Sequence, residues 1–275
     1  MIPLSRDRTA AAVHANFVST KRETFNIELM TNQRSVLDGS LVDHDFDSNR
    51  WKPAKDELKK DSHDKCAYCE APTSVVAFGD VEHFRPKSDY WWLAYCYENY
   101  LVSCQLCNQK FKGAKFPIAN SKLKPPVNIR KNTADSTIAS KASLLTPDSL
   151  DTNSIASFES DHQTERPYLL NPYIDDPTDF YAWEADDTLR RVSLVAVPGL
   201  PDGDKYVEAA EEDLGLNRRE LQELRYTTLE IFQTFEAVLD DPGISVATRA
   251  LVSNQIAAMQ ENHSQFAGML MFFAT

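Results

Sequence analysis

The chain has 275 residues, 42% of them apolar, and a formal net charge of −12. It is long enough for one large domain or two small ones with a real core, and no apolar run approaches the roughly 18–20 residues that span a bilayer. The acidic balance excludes a uniformly basic nucleic-acid coat, so any phosphate-binding surface has to be local.

Residues 1–60 read as a mainly helical region. The opening MIPLSRDRTA does not read as a secretory signal. Helix formers occupy residues 10–18, and WKPAKDELKK at 51–60 reads as a short helix with Pro53 in its first turn. Between them LDGSLVDHDFDSNR has loop composition. His44, flanked by Asp43, Asp45 and Asp47, reads as part of a solvated acidic loop, because no ligand spacing accompanies it. His63 and Asp64 read as surface residues.

Two Cys-x-x-Cys pairs follow, Cys66/Cys69 and Cys104/Cys107. Four thiolates in two knuckles suit a tetrahedral structural zinc ion. A disulfide framework fits poorly, since no secretory signal is visible and the cysteine count is odd. The fifth, Cys96, lies in WWLAYCYENY and reads as a small buried apolar residue. Paired metal-binding thiols without a signal point to the cytoplasm.

The interval between the knuckles is too long for a simple zinc ribbon and holds Glu82-His83, while Asn108 directly follows the last cysteine. Glu82 offers a hard oxygen of the kind Mg²⁺ or Mn²⁺ takes. His83 suits proton transfer near neutral pH, and Asn108 adds an amide oxygen. Together they suit phosphodiester hydrolysis beside one hydrated cation. Taken alone, a Glu-His pair is more often a surface salt bridge or a structural histidine. Residues 75–83 read as a short strand into this loop. The aromatic run from Tyr90 to Tyr97 reads as core beneath a small zinc domain rather than a base-stacking surface. From Cys104 onward a helix is expected to carry Asn108 and the lysines Lys110, Lys112 and Lys115.

Residues 121–165, polar and rich in turn formers, read as a linker or excursion with an exposed His162. Asn171-Pro172 and Asp176-Pro177 mark turns, and residues 189–197 suit a strand paired with the stretch near Tyr181 and Trp183. The region 166–275 ends in helices. Asn217 and Glu220 have capping-box spacing, and a second helix is expected to align Val252, Ile256, Met259, Phe266, Leu270 and Phe273 on one face. An αα-hairpin packed on its own domain is the ordinary outcome. There is no repeat and no Gly-rich phosphate cradle.

The quoted residues KCAYCE, VEHFRPK and SCQLCNQKFKGAKFP resemble the HNH endonucleases of the four-cysteine, ββα-metal subtype. They look most like the HNH component, PtuB, of Septu-type and retron-associated defence systems. LLNPYIDDP and LGLNRRELQELR add weaker similarity. The resemblance implies that Glu82 and Asn108 hold the catalytic Mg²⁺ or Mn²⁺, that His83 is the general base, and that Asn99 pins the hairpin loop. It also implies a defence role with an ATPase partner. Glu82 in place of Asp, and Asn108 in place of a final His, depart from many HNH proteins.

Charge is polarised along the chain. Residues 80–131 carry nine basic side chains against four acidic, whereas residues 145–275 carry 24 acidic against eight basic. Arg85, Lys87, Lys110, Lys112 and Lys115 are therefore the expected nucleic-acid contacts, to DNA or RNA. The acidic half reads either as solvated exterior or as a surface for a protein partner. The expected architecture is α+β and mainly helical, with a zinc-tied HNH module at 61–120 between helical regions at 1–60 and 166–275. Three functions stay open: an effector nuclease controlled by a partner, a non-catalytic zinc module that docks nucleic acid or protein, and a free-standing nuclease.

Overall fold

In the computed structural model, residues 1–73 and 78–274 are described. Helix α1 (Ser19–Asp38) buries Phe25, Leu29 and Met30 and stops at Gly39, whose positive φ of 83° lets its N–H return to the Val36 carbonyl. Helix α2 (Lys55–Asp61) has Asp56 and Glu57 in its first turn and Lys59 and Lys60 in its last, the order that complements the helix dipole. A 3₁₀ turn containing Pro53 leads into it. Residues 10–18, expected to be helical, hold only the short turn Ala15–Phe17.

Strands β1 (Asp80–His83) and β2 (Tyr100–Ser103) form an antiparallel pair in which Glu82 faces Leu101 and His83 faces Tyr100. The earlier part of the expected strand, residues 75–77, lies outside the described residues. Behind β2, a π-helical stretch (Leu106–Lys112) carries Cys107, Asn108 and three lysine or aromatic side chains. Its wide turn differs from the ordinary helix expected there, and such turns recur at functional sites.

The span 121–165 is not an unstructured linker. It contains α3 (Asp135–Ser140) and α4 (Thr152–Glu165), the latter capped by the Asp151 side chain. Ile155, Phe158, His162 and Glu165 form the buried face of α4. His162, expected at the surface, is buried and meets the Asp175 carboxylate at 3.0 Å. Asn26 of α1 reaches across to the Ala142 carbonyl at 2.9 Å and Thr146 Oγ1 at 3.0 Å, fastening this segment to the N-terminal helix.

Strands β3 (Tyr181–Asp186) and β4 (Arg191–Ala196) make the second antiparallel pair. Then come α5 (Gly203–Glu208), a π turn at Ala209–Asp213, α6 (Arg219–Asp240), α7 (Val246–Gln260) and α8 (Ala267–Phe273). Asn217 does not cap α6. Its side chain exchanges two hydrogen bonds with the Leu194 backbone, at 2.8 and 2.9 Å, tying α6 to β4. The last helical stretch is likewise divided into α7 and α8, with Phe266 in the left-handed region between them. Gly215 has φ +63°, and a β-carbon there would sit 2.5 Å from the Phe111 ring. Backbone contact at that point is what brings the C-terminal helices against the π-helical stretch.

Three apolar clusters surround β1–β2. One joins the first knuckle to β3, β4, α6 and α8. Another joins α1 to the aromatic run at 90–96 and to Phe158 of α4. The third packs Phe17 and Leu58 against Tyr97, Tyr100 and Val102. The aromatic run is core, and Cys96 lies within it, its thiol pushed up to about 12 by burial.

Candidate functional site

The four paired cysteines converge. Their Sγ atoms all lie within 4.8 Å of one another, with Cys66, Cys69 and Cys107 buried and Cys104 partly so. The first knuckle is closed by Glu70 N–H donating to the Cys66 carbonyl at 3.0 Å and is pinned to β2 by Ala67 N–H on Val102 O at 2.9 Å. In the second, Asn108 N–H donates to Cys104 O at 3.0 Å. The donor set is four soft sulfurs in reach of one ion, which fits zinc and no hard cation. Arg218, just before α6, directs its guanidinium at Cys107 Sγ (3.8 Å) and Cys69 Sγ (3.9 Å). The Cys69 thiol is held well below its ordinary value by hydrogen bonding from Cys104, Cys107 and Cys66, and Arg218 adds to this. Sequence reasoning did not find Arg218, because 149 residues separate it from Cys69.

Beside β1 opens a cleft of about 510 Å³, lined among others by Glu82, His83, Lys87 and Asn108. His83 Nε2 lies 2.9 Å from the Ala94 carbonyl. A carbonyl only accepts, so Nε2 carries the hydrogen and Nδ1 keeps its lone pair. Trp51 and Tyr100 meet the imidazole edge-on at 5.0 and 5.1 Å. Burial pushes the His83 pKa down to about 3, so the ring is neutral at physiological pH.

Glu82 is buried beside His83. Lys112 Nζ stands 2.5 Å from Glu82 Oε1 and donates to the His83 carbonyl oxygen at 3.0 Å. The contact with Glu82 is ionic rather than a well-directed hydrogen bond, since Oε1 lacks a partner of hydrogen-bonding geometry. Burial raises the Glu82 carboxyl above its ordinary value, and the Lys112 ammonium opposes that rise. Asn108 lines the same cleft one residue beyond Cys107. Asn99 is fully buried: its Oδ1 accepts from Arg85 N–H at 2.8 Å and its Nδ2 donates to Arg85 O at 3.0 Å and Leu93 O at 3.3 Å. It thus clamps both ends of the segment linking β1 to β2.

The basic residues separate into distinct environments. Arg85 is wholly buried, paired with Glu165 at 2.7 Å, and Lys112 is buried against Glu82, so neither presents its charge on the surface as a phosphate contact would. Lys115 is exposed but pairs with Asp213 at 3.0 Å and donates to Glu212 O at 2.8 Å. The acidic half therefore touches the basic half at this point. Lys110 is exposed over the Phe111 ring, and Lys87 lines the cleft. His44, expected in a solvated loop, instead lines the cleft with Phe46 and Trp51 and stacks on Phe46 and Trp91. Phe46 and Trp51, aromatic residues in an otherwise polar stretch, were the only sequence trace of this wall.

Together these features define a helix-rich α+β protein with a cluster of four thiols close enough to bind a metal ion and a cleft that holds a carboxylate, a neutral imidazole and an amide. Among curated proteins the chain is similar to Septu protein PtuB of Bacillus mycoides (strain KBAB4), 28% identical over 193 residues, covering 66% of this chain and 52% of that protein. It is also similar to Septu protein PtuB of Bacillus thuringiensis, 32% identical over 123 residues, covering 42% of this chain and 44% of that one. The chain spans about half the length of these relatives. No protein-family model matches the chain, and no solved structure matches it. Among the described residues no helix is long and apolar enough to cross a membrane.

Proposed function

We propose that the chain is a metal-dependent HNH endonuclease that hydrolyses phosphodiester bonds of nucleic acid. The similarity to the two Septu proteins supports a part in a defence system; the cytoplasm and an ATPase partner rest on the sequence resemblance alone. One observation carries the catalytic part. His83 Nε2 is committed to the Ala94 carbonyl, leaving Nδ1 as the basic nitrogen of a ring that lines the same cleft as Glu82 and Asn108. The neutral ring offers its Nδ1 lone pair to an attacking water; burial that holds its pKa at about 3 makes it a weak base, which the negative charge of a bound phosphate strengthens. Asn99 holds the loop that carries Ala94, and Lys112 steadies both Glu82 and the His83 backbone.

The oxygen donors present suit a hard divalent cation. Glu82 supplies a buried carboxylate and Asn108 an amide oxygen, and these two would hold Mg²⁺ or Mn²⁺. Such an ion supplies electrostatic stabilisation to the phosphate and departing oxygen. The sulfur cluster takes no part in that chemistry and supports the fold of the hairpin.

His83→Ala separates this function from a non-catalytic zinc module. Cleavage of plasmid and single-stranded substrates with Mg²⁺ or Mn²⁺ should fall by about 10²–10⁴-fold, the usual worth of a general base, while zinc content and circular dichroism stay at wild-type values. Asn108→Ala should be partly rescued by excess Mn²⁺. Wild-type rates in His83→Ala would place catalysis elsewhere. Dependence on a partner is read by adding back the proteins that co-purify with the chain from its native host. A pure chain that cuts at full rate alone would favour the free-standing nuclease.

A further inference from the structure

One wall of the cleft comes from residues 43–51, an acidic loop whose presence there the nuclease chemistry does not require. Its aromatic side chains are fixed in place. His44 is sandwiched between Phe46 (5.3 Å, 6° between planes) and Trp91 (5.5 Å, 10°), and its Nε2 meets Gln33 Oε1 at 2.7 Å. Trp51 packs on Tyr95 and touches the His83 ring edge-on at 5.0 Å. Phe46 and Trp51 are only partly buried, and both line the cleft. Above them stands Lys87, its Nζ 5.9 Å from the Phe46 ring centre and 5.7 Å from that of Trp51. Among the described residues Lys87 has no carboxylate partner, unlike Lys112 and Lys115.

Asp43 and Lys87 both border the aromatic wall: Asp43 repels phosphate, whereas Lys87, over the rings, attracts it. A phosphate near His83 that draws the Lys87 ammonium off the rings leaves the faces of Phe46 and Trp51 to the base, the uncharged part of the nucleotide. Stacking on rings recessed in a cleft requires a free base face, which a base inside a duplex does not offer.

We propose that the cleft binds an unpaired nucleotide, its base stacked on the Phe46–Trp51 wall and its phosphate held by Lys87, so that the substrate is single-stranded or locally unpaired nucleic acid. This deepens the nuclease assignment and rests on it for the placement of the phosphate beside His83.

The test is binding, measured by fluorescence anisotropy with His83→Ala protein and no added Mg²⁺ or Mn²⁺. The probes are labelled single-stranded DNA, single-stranded RNA and a blunt DNA duplex. At least one single strand should bind about tenfold more tightly than the duplex. Phe46→Ala should remove about tenfold of that affinity, in line with the loss of one base–aromatic stack, and leave duplex binding unchanged. Phe46→Leu keeps apolar bulk and should bind as weakly as Phe46→Ala, whereas Phe46→Tyr should bind like the parent. The strand that responds, DNA or RNA, identifies the ligand. Equal affinity for single strand and duplex overturns the proposal. So does unchanged single-strand affinity in Phe46→Ala and Phe46→Leu proteins that retain zinc and native circular dichroism. Cleavage is not read here, so a protein that binds in this way yet never cuts would overturn the nuclease assignment and leave the base wall standing.

Discussion

The β1–β2 hairpin serves two sites, and they solve opposite problems. In one, four sulfurs are enclosed by the C-terminal helices, with Arg218 directed at two of them. In the other, Glu82, His83 and Asn108 line an open cleft. Closed four-ligand sites contribute folding energy, and open ones with fewer protein ligands leave room for substrate. The difference teaches that one short hairpin can be fastened by metal-binding thiols at one site so that the groups at the other need not be mutually satisfied. Substitutions at the thiols should register as loss of structure, and substitutions in the cleft as loss of chemistry.

The largest expected effect is therefore Cys104→Ser. A structural zinc site contributes on the order of 10 kcal/mol, comparable with the net stability of a whole domain, about 5–15 kcal/mol. Losing one of four thiolates should leave the protein insoluble or without a cooperative melting transition. A soluble, zinc-free Cys104→Ser protein with native circular dichroism would remove the distinction between the two sites. Next in size is Arg218→Met. Groups that contact metal ligands typically matter by about 10–100-fold in metal affinity. Zinc transfer from this variant to a chromogenic chelator should be about tenfold faster, with the cleft chemistry retained. An unchanged release rate would show that Arg218 serves only to pack α6.

The cleft can be tested by pH. His83 titrates at about 3 in the folded protein because burial disfavours its charged form, against an ordinary value near 6.5. The unfolded chain thus binds the extra proton first as pH falls. The stability tied to neutral His83 is fully present above about pH 6.5 and is lost progressively toward pH 3. Urea midpoints measured from pH 7 to pH 4 should fall more steeply for wild type than for His83→Gln, which has no such proton to bind. Equal slopes would mean that His83 is more solvated than its position implies.

How much of this was legible depends on how local each signal is. The cysteine pairs, Glu82-His83 and Asn108 stand close in sequence, and the structure gathers the sulfurs in one cluster and the other three around one cleft. The β3–β4 hairpin was legible from its alternating apolar residues. Helix α4 was hidden by its polar composition, although its buried positions 155, 158, 162 and 165 follow helical spacing and were there to be read. Asn217 matched a capping pattern that depends on local backbone geometry, but its side chain found the Leu194 backbone first. His44, Phe46 and Trp51 reach the cleft through packing against Trp91 and Tyr95, a tertiary contact that loop composition does not encode. Arg85 and Lys112 look like ordinary surface cations in sequence, since nothing nearby announces Glu165 as the partner of the one or Glu82 as the partner of the other.

The smallest effect expected concerns the exposed lysines and tests where the phosphate surface ends. Among the described residues Lys110 has no carboxylate partner and stands over Phe111, whereas Lys115 is already matched by Asp213. A lysine that contacts phosphate releases about one counterion, so its loss lowers the slope of log affinity against log salt by about one. A lysine committed to a carboxylate has less charge to offer, and moving it toward phosphate leaves Asp213 unpaired. In a salt titration with single-stranded nucleic acid, Lys110→Gln should reduce the slope by nearly one. Lys115→Gln should change it by a smaller fraction, and Asp213→Asn should tighten binding slightly by releasing Lys115. Equal slope changes for Lys110→Gln and Lys115→Gln would mean that nucleic acid displaces Asp213, extending the phosphate surface from the π-helical stretch onto the acidic C-terminal half.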